Sequence, residues 1–258
     1  MMAESCYTLP GIVQQEDGHP TAPGPIMGNP YTPLWNLLIM STLDWAALPV
    51  GEIAAAHPGA TAVFRRFRID FCCSGQRPLA EACAARGVSL DEVRQALEQL
   101  PQAVADVPQE PTELIEHILH RYHDVHRQQL PELIRLARKV EAVHDDHPEA
   151  PLGLAQYLEE TQDELLAHMA KEEQVLFPLL AAGGAPMARH PIAAMRLEHD
   201  DHAVRLDNLR TLAHGLVLPA EACNSWRALY SGLQQFIDDL MQHIHLENNV
   251  LFPRFERA

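Results

Sequence analysis

The chain has 258 residues, is 47% hydrophobic and carries a formal charge of −16 with its 15 histidines counted as neutral. That length suits one large domain or a small domain plus a bundle. The acidic balance argues against nucleic acid or an anionic membrane surface as partner, and no run of about 18 apolar residues is present to cross a bilayer.

The N-terminus lacks the basic-then-apolar pattern of a secretory signal. The cysteines (Cys6, Cys72, Cys73, Cys83, Cys223) are odd in number and two are adjacent, which is not the disulfide framework of a secreted protein. A reducing cytoplasm is the expected compartment. Strand signals are short and scattered, while long Ala/Leu/Glu/Gln-rich stretches repeat with helical spacing, so an all-α fold is expected.

In chain order, residues 1–42 are punctuated by Gly, Pro and Thr and hold no helical period, so they read as a disordered extension. A translation start at Met40 is the other reading of that segment. Residues 43–100 predict a compact set of short helices over 50–57, 60–67, 79–86 and 89–100. Gly87 serves as a C-cap, and Ser89-Leu90-Asp91-Glu92 forms a capping box. The sequence Ile69-Asp70-Phe71-Cys72-Cys73-Ser74-Gly75 forms the loop between the second and third of these helices. Residues 101–111, rich in Pro, Gln and acids, read as a linker. Four long helices follow within 112–258: 112–144 with a bend at Pro131, one ending near 177–180, 192–214, and one opened by Pro219 and running to about 252. Their short connections favour an up-down-up-down four-helix bundle.

One phrase, H-x-x-x-E-x-x-V-L-F-P, occurs twice, from His168 to Pro178 and from His243 to Pro253, with every matched position offset by 75 residues. An internal repeat is the simplest cause. On a helix, residues i and i+4 share a face, so His168 stacks on Glu172 and His243 on Glu247. The Val-Leu-Phe that follows continues the strip in apolar residues, and the proline disfavours α geometry at the phenylalanine before it. Buried carboxylates beside imidazoles need a compensating cation, and two such pairs facing one another point to metal.

The repeat requires a ligand from each of the other two long helices. His123 and His126 both fall on the apolar stripe of the first, whereas His117 and His120 point away. On the third, His199 lies nearer the stripe than His202. His123 and His199 are 76 apart, close to the repeat offset, but periodicity does not separate His123 from His126. Mixed imidazole and carboxylate donors suit iron, manganese or zinc; two carboxylates able to bridge favour two metals, with iron first and zinc its rival. Phe177 and Phe252 read as core, Glu173, Asp200 and Asp201 as solvated, and His144, His147, His190, His214 and His245 as core or surface residues. Cys72 and Cys73, with Cα atoms about 3.8 Å apart, are too close for an unstrained mutual disulfide and read as free thiols able to bind metal or exchange electrons.

The stretches Val50-Gly51-Glu52-Ile53-Ala54, His57-Pro58-Gly59-Ala60 and Asp70-Phe71-Cys72-Cys73-Ser74-Gly75 resemble the small N-terminal domain of the RIC (repair of iron centres) proteins. These are the iron–sulfur cluster repair di-iron proteins of the YtfE/ScdA/DnrN group. Arg121-Tyr122-His123-Asp124, Glu198-His199-Asp200 and the two repeated phrases resemble the family's hemerythrin-like bundle, in the same order. Ser74 departs from the glycine common there. The resemblance implies two iron ions held by His123, His168, His199 and His243 and bridged by Glu172 and Glu247, with Cys72 and Cys73 as the family's paired thiols. It implies repair of iron–sulfur clusters damaged by nitrosative or oxidative stress, by iron delivery to the damaged proteins. Reduction of nitric oxide, or hemerythrin-like binding of NO or O2, is the alternative. Roles for His126, His144, His202 and His245, and whether the N-terminal domain packs on its own bundle or swaps within a homodimer, are left open.

Overall fold

The computed structural model describes residues 44–101, 107–184 and 187–256. The extension expected over 1–42, the suggested start at Met40, Cys6 and the middle of the expected linker lie outside them. The described residues are helical throughout, without a strand; one isolated bridge pairs Pro49 with Pro78.

Four short helices come first: α1 (Val50–Ala56), α2 (Ala60–Arg66), α3 (Leu79–Arg86) and α4 (Leu90–Glu98). Gly87 closes α3 at φ 66°, a left-handed position that suits glycine. The Ser89 hydroxyl accepts from the Glu92 backbone N–H at the start of α4, as the capping box predicts. Ile53, Phe64, Ile69, Phe71 and Leu79 are buried at the centre of this unit.

The bundle is built from α5 (Pro111–Ile118), α6 (Asp124–Val143), α7 (Leu154–Lys171), α8 (Phe177–Ala181), α9 (Arg189–Leu212), α10 (Asn224–His245) and α11 (Pro253–Glu256). Helix α6 packs on both α7 and α10, and α9 packs on α7. Two expectations shift. Pro131 lies inside α6. The departure from α geometry falls upstream, at a π turn over Leu119–His123 joining α5 to α6. Pro219 precedes a turn, and α10 begins only at Asn224.

Two more π turns occupy Glu172–Leu176 and Leu246–Leu251. The Phe177 N–H bonds back to Glu172 O, and Phe252 N–H to Glu247 O, five residues earlier in each case. Pro178 and Pro253 then enter in the first turn of the next α segment, where a missing N–H costs nothing. The repeated proline therefore does not end either helix; it restarts α geometry after a wide turn. Leu176, Phe177, Leu251 and Phe252 join Leu114, Ile118 and Ile192 in an apolar layer that seals this end of the bundle.

Candidate metal centre

The three π turns mark one level of the bundle, the kind of insertion that recurs at functional sites. At that level His123, Glu172, His243 and Glu247 form one group of converging donors, and His168, Glu172, His199 and Glu247 form a second. All six side chains are buried. Each carboxylate belongs to both groups. Glu172 turns Oε2 to His123 Nε2 (3.4 Å) and Oε1 to His168 Nε2 (3.3 Å). Glu247 turns Oε1 to His243 Nε2 (3.2 Å) and Oε2 to His199 Nε2 (3.1 Å). The result is two sites of two imidazoles and two carboxylate oxygens each, spanned by the same two glutamates.

The far side of each ring decides what Nε2 can do. His123 donates from Nδ1 to Glu173 (2.7 Å), His168 to Glu198 (2.9 Å) and His199 to Asn248 Oδ1 (2.9 Å). With Nδ1 carrying the proton, the neutral ring presents its Nε2 lone pair to the centre. His243 has no hydrogen bond at Nδ1 and is instead stacked on Tyr122, 5.6 Å between centroids. Across the centre, the Nε2 atoms of His123 and His243 face one another at 3.1 Å, as do those of His168 and His199. Both oxygens of Glu172 and one of Glu247 are buried without a hydrogen bond. Lone pairs converging on common points, beside unsatisfied buried carboxylates, fit a pair of bound cations.

The supporting residues follow the same repeat, and only part of this was visible beforehand. Glu173 and Asn248 occupy equivalent positions and orient the equivalent histidines, one with a charge and one with a neutral amide. Glu173, expected to be solvated, in fact bonds His123 and Arg127. Phe177 lies beside His123 at 5.7 Å and Phe252 stacks on His199 at 6.0 Å, so these core rings also wall the centre. His126 and His202 are buried one turn away, in ring contact with His243 and His168, but belong to neither group. His120 is exposed; His245 is buried against Phe71.

The Cys-Cys loop lies directly on this layer. Asp70 holds it in shape, accepting from the backbone N–H groups of Cys72, Cys73 and Ser74 and from the Ser74 hydroxyl. Asn248, which orients His199, donates from its other end to Cys72 O (3.1 Å), and Asn249 donates to Phe71 O and Cys72 O. Gly51 and Gly75 admit the Asn249 side chain so closely that a Cβ at either would collide with it. The Cys73 thiol donates to the backbone carbonyl of His199 (3.3 Å). The two thiols are 3.6 Å apart and, with Asp70, form a third group of converging donors. The small unit thus packs on the bundle of its own chain. Asn248 and Asn249 were legible only as part of the second repeated phrase, because a single sequence does not show what lies opposite them.

Charge at the centre is set by competition. Burial opposes a proton on His168, but Glu172, Glu247 and Glu198 outweigh it and raise its pKa to about 9. His123 is raised for the same reason. Burial and Glu247 push Glu172 up, yet the facing histidines hold it down at about 2. Burial drives His126 and His245 to about 4 and His202 to about 3, and His243 well below the usual range.

The metal-free protein should therefore be most stable near pH 6.5. Below that, the unfolded chain takes up protons at five histidines whose pKa the fold lowers by burial, His57, His126, His202, His243 and His245, so stability falls by up to about 1.4 kcal/mol per proton per pH unit. Above it, folded His123 and His168 retain protons that the unfolded chain has lost; for His168 this contribution disappears as pH rises through about 9. Denaturant unfolding across pH checks this; stability climbing steadily to pH 9 would contradict it.

Away from the centre, Cys223 caps the N-terminus of α10 with its thiol 3.2 Å from His144 Nε2. The His144 bond and the N–H groups of Trp226 and Ser225 lower its pKa against burial. Cys72 is pushed well above the usual thiol range by its bond to Cys73, by burial and by the Asp70 charge. Iodoacetamide should alkylate Cys223 well before Cys72, as read by peptide mass mapping; the reverse order would show that the His144 contact does not activate the thiol.

Comparison with known proteins agrees with this geometry. Residues 114–255 match the Hemerythrin HHE cation binding domain, and residues 47–101 match ScdA_N, a domain of unknown function (DUF542). The chain is 47% identical over 213 residues to the iron-sulfur cluster repair protein YtfE of Pectobacterium carotovorum subsp. carotovorum, covering 81% of this chain and 96% of the relative. It is 48% identical to YtfE of Dickeya chrysanthemi over the same shares. It is 44% identical to a probable iron-sulfur cluster repair protein of Haemophilus influenzae, covering 82% and 98%. A bundle whose buried His/Glu groups fit non-haem iron, joined to a Cys-Cys domain and aligned with nearly the whole length of these relatives, has one consequence: the chain belongs to the iron–sulfur cluster repair family of hemerythrin-domain proteins.

Proposed function

We propose that this protein holds two iron ions, one at His123 and His243 and one at His168 and His199, with Glu172 and Glu247 bridging them, and that it restores damaged iron–sulfur clusters by giving up iron. When bound, such a pair supplies an exchangeable metal ion and one-electron chemistry. The protein's own part is to hold six donors in place and keep water out with the Leu176/Phe177/Leu251/Phe252 layer. The observation that carries the reading is the pair of hydrogen bonds made by Asn248, whose Oδ1 accepts from His199 and whose amide N–H donates to the Cys72 carbonyl. It couples one half of the centre, and not the other, to a thiol pair. The His168/His199 half is therefore the one from which iron leaves, with Cys72 and Cys73 as the first receiving donors.

The damaged iron–sulfur proteins are the partners, and the cytoplasm is the compartment; among the described residues no helix is long and apolar enough to cross a membrane. Nitric oxide is a candidate ligand because each half has only four protein donors, which leaves positions free for small molecules. Reduction of nitric oxide at the pair is accordingly the second reading, and a homodimer is compatible with either.

Elemental analysis and Mössbauer spectroscopy on protein purified without oxygen test the centre: two coupled irons per chain are expected, whereas zinc or uncoupled iron overturns it. A Cys72→Ala/Cys73→Ala variant that repairs as well as the parent would overturn the thiol relay. Iron retained through repeated turnover of nitric oxide would favour the reductase over repair.

A further inference from the structure

A cavity of about 460 Å³ lies in the seam between the small helical unit and the bundle, beside the Cys-Cys loop, which contributes Asp70 and Cys72 to its wall. Its size is within the range of small-molecule sites. In a chain of net charge −16, its wall is cationic: Arg65 from α2, Arg68 from the loop that follows, Arg86 from α3 and Arg210 from α9, against Asp70 and Asp207.

These acids neutralise the arginines only in part. Asp70 spends both oxygens on the backbone and side chains of the Cys-Cys loop. Asp207 is shared, 3.2 Å from Arg210 and 3.8 Å from Arg86. Arg65 turns to Asp238 (3.3 Å). Arg68 has no hydrogen bond or ion pair from its guanidinium among the described residues, and its backbone is held at φ 56°, a left-handed conformation uncommon for a residue with a Cβ. This is the left-handed turn that ends α2, closed by the Ile69 N–H bonding back to Phe64 O, and it turns Arg68 out of the helix. Burial, with the charge of Arg68 adding to it, lowers the pKa of Arg210 in spite of Asp207. Four guanidinium groups thus line the cavity against two carboxylates, one of them shared, which leaves its wall with an excess of positive charge.

We propose that the seam cavity is a binding site for a small polycarboxylate anion. Planar guanidinium groups from separate elements match the geometry of several carboxylates, each accepting paired hydrogen bonds. Three of the arginines belong to the small unit and one to the bundle, so the anion clamps the two together. Cys72 forms part of the wall, and the bound anion holds the Cys-Cys loop on the metal centre. This goes beyond the iron-delivery reading and does not depend on it.

The test is calorimetric titration of the full-length, iron-loaded protein with tricarballylate, a tricarboxylate lacking the hydroxyl that makes citrate a strong iron chelator. One site per chain with a dissociation constant of about 1 mM or tighter is expected, weakening with added salt. Arg68→Gln should weaken it about tenfold, and Arg86→Gln, which leaves the Arg210–Met241 packing untouched, should do the same. Saturating anion should also slow alkylation of Cys72 and Cys73. No saturable heat, or unchanged affinity in a folded Arg68→Gln protein, overturns the site. Equal affinity for inorganic phosphate or for triethyl citrate overturns the polycarboxylate assignment. A flat isotherm on protein shown by elemental analysis to hold its irons defeats this site alone; a normal isotherm on protein that takes up no iron upholds this site while the metal centre fails.

Discussion

Replacing Glu247 with glutamine should remove metal from both halves of the centre, not from one. Its oxygens divide between His243 and His199, so each half loses one of its four donors and the link to the other half. An amide offers one weak oxygen donor and a nitrogen that repels a cation. Loss of a supporting partner alone costs about 10–100-fold in metal affinity, so loss of a shared ligand should exceed that, and iron per chain should fall close to zero by elemental analysis. Chelation should lower the melting temperature of the parent protein, because a ligand bound only by the fold stabilises it, and should leave Glu247→Gln unchanged. A variant that keeps one tightly held iron would show that the glutamates do not bridge. Glu172→Gln should behave alike, since Glu172 divides its oxygens in the same way.

Phe252→Ala should be among the most destabilising single changes in the bundle. The ring is fully buried, lies in the apolar layer with Leu176, Phe177 and Leu251, stacks on His199 and receives the Arg196 guanidinium at 5.5 Å. Truncating a buried phenylalanine costs about 3–5 kcal/mol through lost transfer free energy and the cavity left behind. Denaturant unfolding of metal-free protein reads this directly. The cavity also frees the His199 ring, so on the proposed two-iron reading the variant should lose metal from the His168/His199 half first and show altered Mössbauer signals for one of the two irons. Phe252→Leu, which fills most of the cavity, should recover much of the stability. A loss under about 1 kcal/mol for Phe252→Ala would mean the layer collapses to fill the space.

Much of this protein follows from local pattern. Helical spacing and the repeated H-x-x-x-E-x-x-V-L-F-P phrase put His168 on Glu172 and His243 on Glu247, and the buried apolar flanks make an exposed ion pair untenable; the all-α bundle and the pairing of both glutamates with imidazoles come from that alone. The ambiguity between His123 and His126 is different in kind. Both lie on the buried face, as the structure confirms, and the family resemblance, not the residues themselves, favoured His123.

The structure separates them by what each ring meets: His123 joins a group of converging donors and His126 joins none. The π turn over Leu119–His123 brings the His123 ring level with the π turns at Glu172 and Glu247, while His126 sits against Phe236 and the side of His243. A 100° wheel assumes uniform α geometry, so an inserted residue is invisible to it. The same holds for Glu173, which looks like any solvent-facing acid until His123 arrives from a helix 50 positions away.

The docking of the Cys-Cys loop is wholly tertiary. Nothing local to Asp70-Phe71-Cys72-Cys73 names Asn248 and Asn249 as its partners, because those bonds join backbone carbonyls to amides more than 170 residues along the chain. Nor does any local signal gather Arg65, Arg68, Arg86 and Arg210 around one cavity. Side-chain type and helical period determine which groups are buried and of what chemistry; which of them meet is decided by the packing of whole helices, since only that sets the distances over which coordination and hydrogen bonding act.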